Sequence, residues 1–120
     1  MKYVSTRGSA PVLSFDEVLL SGLARDGGLY LPESWPQFSA DDLRALRGLP
    51  YPALAGKVMK PFLVGSCLEN RFDLIVAEAY SSFEHNAVAP LKQLDSNLWL
   101  LELFHGPTLA FKDIALQLLG

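Results

Sequence analysis

A single cysteine, Cys67, excludes an internal disulfide framework, and with only two histidines in 120 residues no Cys/His spacing suggests a metal site. Basic residues are also few. Ten Lys and Arg stand against thirteen Asp and Glu, interspersed to a net charge of −3, so there is no basic patch or stripe for nucleic acid. Long apolar runs are missing as well: Pro61 and charged residues interrupt every longer stretch, and the opening MKYVSTRG has no apolar leader core. Neither a membrane span nor a signal peptide is expected, and the chain reads as soluble and cytoplasmic. Internal repeats and low-complexity segments are absent too. What is present is apolar content of 50%, enough for one modest core.

Turn and periodicity signals divide that content into short elements. Lys2 to Ser5 and Gly28 to Leu31 are β-favouring, the second entered through the turn Asp26-Gly27-Gly28, and the two are expected to pair. Ser14 and Glu17 have capping-box spacing, and Phe15, Val18, Leu19 and Leu23 form a stripe on the helix that follows. Ser39 is an N-cap with Asp41 and Asp42 in the first turn, and Leu43 and Leu46 point inward. A third helix is expected from about Ala53, carrying Leu54, Val58, Phe62 and Leu63 and kinked or ended by Pro61. A fourth follows Asn70, with Phe72, Ile75, Val76, Ala79 and Phe83 on one side. Residues 1–90 thus form a small, mostly helical module with a short β ribbon, bounded by the aperiodic stretch His85 to Pro90. Leu91 to Leu94 and Leu98 to Phe104, separated by Asp95-Ser96-Asn97, read as a β-hairpin whose apolar second strand expects cover on both faces.

The last stretch, Leu101 to Gly120, holds a lysine in an awkward place. On a helix starting near Thr108, Lys112 would share a face with Leu109 and Leu116, while Phe111, Ile114, Ala115 and Leu118 fill most of the remaining circumference. Burial and the positive end of the helix dipole would both favour the neutral amine, which can attack a carbonyl. Alternatively, the long stem bends its ammonium out to water. Spacing leaves both open.

The words around this lysine narrow its role. LELFHGPTLAFKD, at Leu101 to Asp113, resembles the cofactor-lysine segment of the threonine synthase family, pyridoxal 5'-phosphate (PLP) enzymes of the tryptophan-synthase-β-like fold. YVSTRG at Tyr3 to Gly8 and DGGLYLP at Asp26 to Pro32 resemble the family's N-terminal signatures, in the same order. The resemblance implies an α+β fragment, in which residues 91–120 are the start of a PLP-binding domain of fold type II: its first β-hairpin and lysine helix. It implies that Lys112 is both the catalytic and the cofactor-binding residue. The complete enzyme would convert O-phospho-L-homoserine and water to L-threonine and phosphate. A threonine-synthase-like phospho-lyase using the same lysine, or a non-catalytic folding module, are the alternatives. Because such enzymes are several times longer, the chain reads as truncated. The 120 residues alone are expected to be inactive, not to retain PLP, and to expose apolar surface through which copies self-associate.

Other residues carry plainer readings. Asp113 is expected to be a first-turn carboxylate favoured by the helix dipole, and Thr108 to cap the lysine helix, with Gly106 and Pro107 shaping the turn before it. His105 either contacts cofactor or substrate or bonds locally, and His85 is expected to be solvated. Arg7 reads as a structural tie with a possible anionic partner. Cys67 reads as a small buried hydrophobe, and Trp35 and Trp99 as packing residues.

Overall fold

The computed structural model describes residues 1–120. They divide into two units, one made of residues 1–47 and 57–72, the other of residues 48–56 and 73–120.

In the first unit β1 (Lys2–Ser5) is the central strand of an antiparallel sheet ordered β2-β1-β3, with β2 at Leu13–Ser14 and β3 at Tyr30–Pro32. The expected pairing of β1 with the second strand forms, with Val4 opposite Leu31. The two-residue β2 was not foreseen, because it is too short to show alternation. Tyr3 and Ser5 face inward by the two-residue period of a strand, and the Tyr3 hydroxyl donates to the Phe62 carbonyl at 2.7 Å.

Ser14 caps α1 (Phe15–Ser21) with both halves of the capping box, and Gly22, at φ 67°, ends it. The stripe is shallower than its spacing suggests, since Leu19 and Leu23 are exposed. Ser39 likewise forms a capping box with Asp42 on α2 (Ala40–Ala45). At six residues that helix is too short to bury a face, and Leu43, expected inward, is exposed. Trp35 is 60% exposed and only edges against the Phe62 ring, so it is not the packing residue expected.

Helix α3 (Tyr51–Met59) begins two residues before the expected start, and it passes through the division between the units. A 3-10 turn, Lys60–Leu63, follows at Pro61, where the missing N–H stops the α-helical ladder. In the second unit α4 (Phe72–Ser81) supplies the core: Val76 is 0% exposed, and Ala79, Tyr80, Phe83 and Val88 are buried around it.

The hairpin forms from β4 (Leu91–Asp95) and β5 (Leu98–Leu101), with a register shift between Gln93 and Asp95. All nine strand residues are exposed, so the cover expected for β5 is not provided by these 120 residues, and Trp99 is exposed with its neighbours. The change expected near residue 90 falls inside the second unit. The last helix, α5, is Asp113–Leu119, five residues shorter at its start than expected. No helix is long and apolar enough to cross a membrane.

Candidate functional site

The residues between β5 and α5 are not helical because of Leu109. Its φ of 60° is left-handed, a conformation that costs a residue with a Cβ about 1–2 kcal/mol and breaks any helix started at Thr108. The chain instead makes tight turns: the Leu109 amide donates to the Gly106 carbonyl at 3.1 Å and the Asp113 amide to the Ala110 carbonyl at 3.0 Å.

Lys112 therefore occupies the N-cap position of α5 and not its interior, and its side chain is exposed. The buried lysine flanked by Leu109 and Leu116 on one helix face is corrected accordingly. Leu109 and Phe111 lie outside the helix and are exposed. Of the two readings of the stem, the one that carries the ammonium to water is the one found. The Lys112 carbonyl accepts from the Ala115 and Leu116 amides at 3.1 and 2.9 Å, so its backbone is held while its amine is free of hydrogen bonds and ion pairs.

Asp113 lies in the first turn of α5 as expected, and it also makes contacts that the spacing does not suggest. It is 3% exposed, and its two oxygens accept from the amide and the hydroxyl of Thr108, at 2.8 and 2.7 Å. Thr108 does not cap the helix; the first helical residue ties down Thr108. The Thr108 hydroxyl hydrogen bond, aided by the Thr108 and Ala110 amides and the Gln117 side chain, holds the Asp113 carboxyl below the usual carboxylate range against the opposing effect of desolvation. Gly106 is required by that carboxylate, because a Cβ there would lie 2.5 Å from Asp113 Cβ and Oδ2. The five-residue step from Thr108 to Asp113 matches no capping spacing, which is why sequence reading missed it.

Two further ties brace the turn. The Tyr80 hydroxyl donates to the Ile114 carbonyl at 3.0 Å, and burial, helped by the neighbouring Tyr51, pushes its pKa up to about 12, so it remains a donor. His105 sits where the turn begins, with Nε2 2.8 Å from Glu102 Oε2 and its ring against those of Phe104 and His85. The local bond that one reading of His105 expects is formed. His85 is exposed as expected, with Nδ1 accepting from the Ala87 amide.

The first unit holds a second polar centre, where the two N-terminal words meet. Asp26 accepts from the Ser5 hydroxyl and from the amides of Ser9, Ala10 and Gly28, while Arg7 Nη1 donates to the Asp26 carbonyl. Arg7 is a structural tie. Gly28 is needed for close approach, since a Cβ there would lie 2.4 Å from Ser5 Oγ. Cys67, expected buried, is exposed; its amide and thiol both face the Asp16 carboxylate. Each of these groups is engaged by a neighbour within the unit.

A family model described as the threonine synthase N terminus matches residues 2–80. The chain belongs to the threonine synthase family. The lysine turn lies beyond that match, and full-length alignments reach it. A threonine synthase of Pseudomonas aeruginosa is 59% identical over 100% of this chain and 26% of its own length. The human protein named threonine synthase-like 2 is 41% identical over 98% of this chain and 24% of its own. Among solved structures, a PLP-bound threonine synthase from Brucella melitensis superposes with a TM-score of 0.95 at 60% identity, covering 99% of this chain and 26% of that one. The Escherichia coli threonine synthase gives a TM-score of 0.84 at 27% identity, covering 99% and 27%. The chain thus spans about a quarter of the length of its relatives, and its small α+β fold is that of the corresponding region of threonine synthases.

Proposed function

We propose that this chain is the N-terminal part of a cytoplasmic threonine synthase that converts O-phospho-L-homoserine and water to L-threonine and phosphate, with Lys112 as the residue that carries PLP. The single observation behind this reading is an unpartnered primary amine on a fixed backbone, at the lysine of LELFHGPTLAFKD. Such an amine suits covalent capture of an aldehyde, the donor chemistry that PLP requires. When bound, PLP supplies an electron sink for carbanionic charge at the substrate carbon. Lys112 holds the cofactor and, once its amine is free, moves the substrate α proton. The turn from Gly106 to Asp113 fixes where that amine can reach.

On this reading residues 1–90 are the family's N-terminal module. Residues 91–120 begin the PLP-binding domain of fold type II, with β4, β5 and α5 as its first hairpin and lysine helix. The exposed strands of the hairpin support this, since an apolar strand such as Leu98 to Leu101 is stable inside a covered sheet.

A phospho-lyase using the same lysine is the second reading. Relatives named threonine synthase-like 2 are 41–44% identical over 98% of this chain, so the likeness is not confined to proteins named threonine synthase. Incubation of the full-length protein with PLP and O-phosphohomoserine separates the two. Threonine and phosphate in equal amounts are expected; phosphate with a keto acid and no threonine would replace the first reading by the second.

A further inference from the structure

We infer that Asp113 is a positioning residue for Lys112: its carboxylate closes the turn from Gly106 to Lys112 and so fixes the point from which the amine acts. The inference rests on Lys112 being the cofactor lysine. Leu109, at φ 60°, is in a conformation that a residue with a Cβ adopts only when its surroundings hold it there. The structure supplies the hold on both sides. Gly106 accepts from the Leu109 amide, and Asp113 accepts from the amide and the hydroxyl of Thr108.

The geometry suits a carboxylate, whose charge strengthens each hydrogen bond it accepts. Asp113 Oδ2 takes the Thr108 amide at 2.8 Å and Oδ1 takes the Thr108 hydroxyl at 2.7 Å, so both oxygens accept. An asparagine could keep the Thr108 amide on Oδ1 and turn its NH2 to the Thr108 hydroxyl, which would then accept, so what it removes is the negative charge that strengthens both bonds at a side chain only 3% exposed. With both oxygens engaged and almost no exposure, Asp113 is placed to hold structure and not to exchange protons with a substrate. Lys112 is the adjacent residue, and its backbone is bracketed by the Asp113–Ala110 and Lys112–Leu116 hydrogen bonds. The Tyr80 hydroxyl on the Ile114 carbonyl anchors the other side. The outcome is a long flexible amine on an immobile Cα. An amine that must take and release a group at one place benefits from that arrangement, since small misplacements are costly.

The test uses the full-length protein as wild type and as Asp113→Asn, Thr108→Val and Thr108→Ser. In cofactor-free protein, hydrogen exchange at the Thr108 and Leu109 amides reads the turn. In PLP-loaded protein, the pH midpoint of the visible absorbance band and the rate of PLP loss read the amine's placement. Asp113→Asn and Thr108→Val are expected to speed exchange and PLP loss by about tenfold, the scale of one charge-assisted hydrogen bond, and to move the pH midpoint; Thr108→Ser is expected to behave as wild type. Should Asp113→Asn fail to fold, Thr108→Val carries the same comparison. Faster exchange with an unmoved midpoint and unchanged PLP retention would make Asp113 purely structural and overturn the inference, as would unchanged exchange. A wild-type protein that takes no PLP on Lys112 would overturn the cofactor reading and this inference with it. That outcome is distinguishable because the wild type then fails alongside its variants.

Discussion

Asp26 and Ser5, 21 residues apart in sequence, meet side chain to side chain: the Ser5 hydroxyl lies 2.8 and 2.9 Å from the two carboxylate oxygens of Asp26. This contact joins YVSTRG to DGGLYLP and explains why both words belong to one structural unit. Partial burial pushes the Asp26 carboxyl up, but donors from Gly28, Ser5, Ser9 and Ala10 outweigh it and hold the group below its ordinary value.

A lowered folded-state pKa gives a pH dependence of known sign. Asp26 contributes stability that is fully present above the ordinary carboxylate pKa and is lost as pH falls through the lower, folded-state value. Urea midpoints of the full-length protein measured from neutral pH downward are expected to fall, and Asp26→Asn to start lower at neutral pH and fall less steeply. Some slope should remain, because Asp113, Glu17 and Asp42 are shifted the same way. Parallel curves for the two proteins would remove Asp26 from this role.

Gly106 leaves no room for a methyl group beside Asp113. Gly106→Ala is expected to cost about 1–3 kcal/mol as an overpacking substitution and to loosen the lysine turn. Gly48→Ala is a control of a different kind: its φ of 74° strains an alanine, but a Cβ there meets nothing. Hydrogen exchange across residues 106–113 distinguishes them, with only Gly106→Ala expected to raise it.

Burial separates two apolar residues that look alike in sequence. Val76 is 0% exposed and Leu20 is 88% exposed. Val76→Ala is expected to destabilise by about 2–3 kcal/mol and Leu20→Ala by less than about 0.5 kcal/mol, as read from denaturant midpoints.

Cys67 is exposed but guarded. The hydrogen bond to the Asp16 carboxylate, with desolvation and the negative charge of Asp16 adding to it, pushes the thiol pKa up. The thiolate is the nucleophile, so alkylation near neutral pH is expected to be slow and to speed up several-fold in Asp16→Asn. Equal rates would mean that Asp16 does not control the thiol.

The parts legible in the sequence were those governed by local rules. Ser14 with Glu17 and Ser39 with Asp42 cap helices because three-residue spacing is sufficient for that geometry, although only the first pair was read as a box. The pairing of β1 with β3 followed from β-favouring residues and the turn Asp26-Gly27-Gly28, and the buried side of α4 from helical periodicity. The lysine turn was misread for the same reason: LAFKDIALQLL has helical periodicity, and nothing local reveals that Leu109 turns left-handed or that Asp113 reaches back to Thr108. Cys67 reads as buried by residue type, while its place beside Asp16 depends on a partner 51 residues away, and Leu43 is exposed because α2 is only six residues long. The reading of Lys112 as the cofactor lysine rests on the motif and not on burial, since its side chain is exposed.

The central claim is that Lys112 carries the cofactor, and its most direct measurement is chemical. The full-length protein is incubated with PLP, reduced with borohydride, digested and analysed by mass spectrometry. A single pyridoxyl adduct on the peptide holding Lys112, absent in Lys112→Ala, is the expected result. An adduct confined to another lysine, or persisting undiminished in Lys112→Ala, would contradict it.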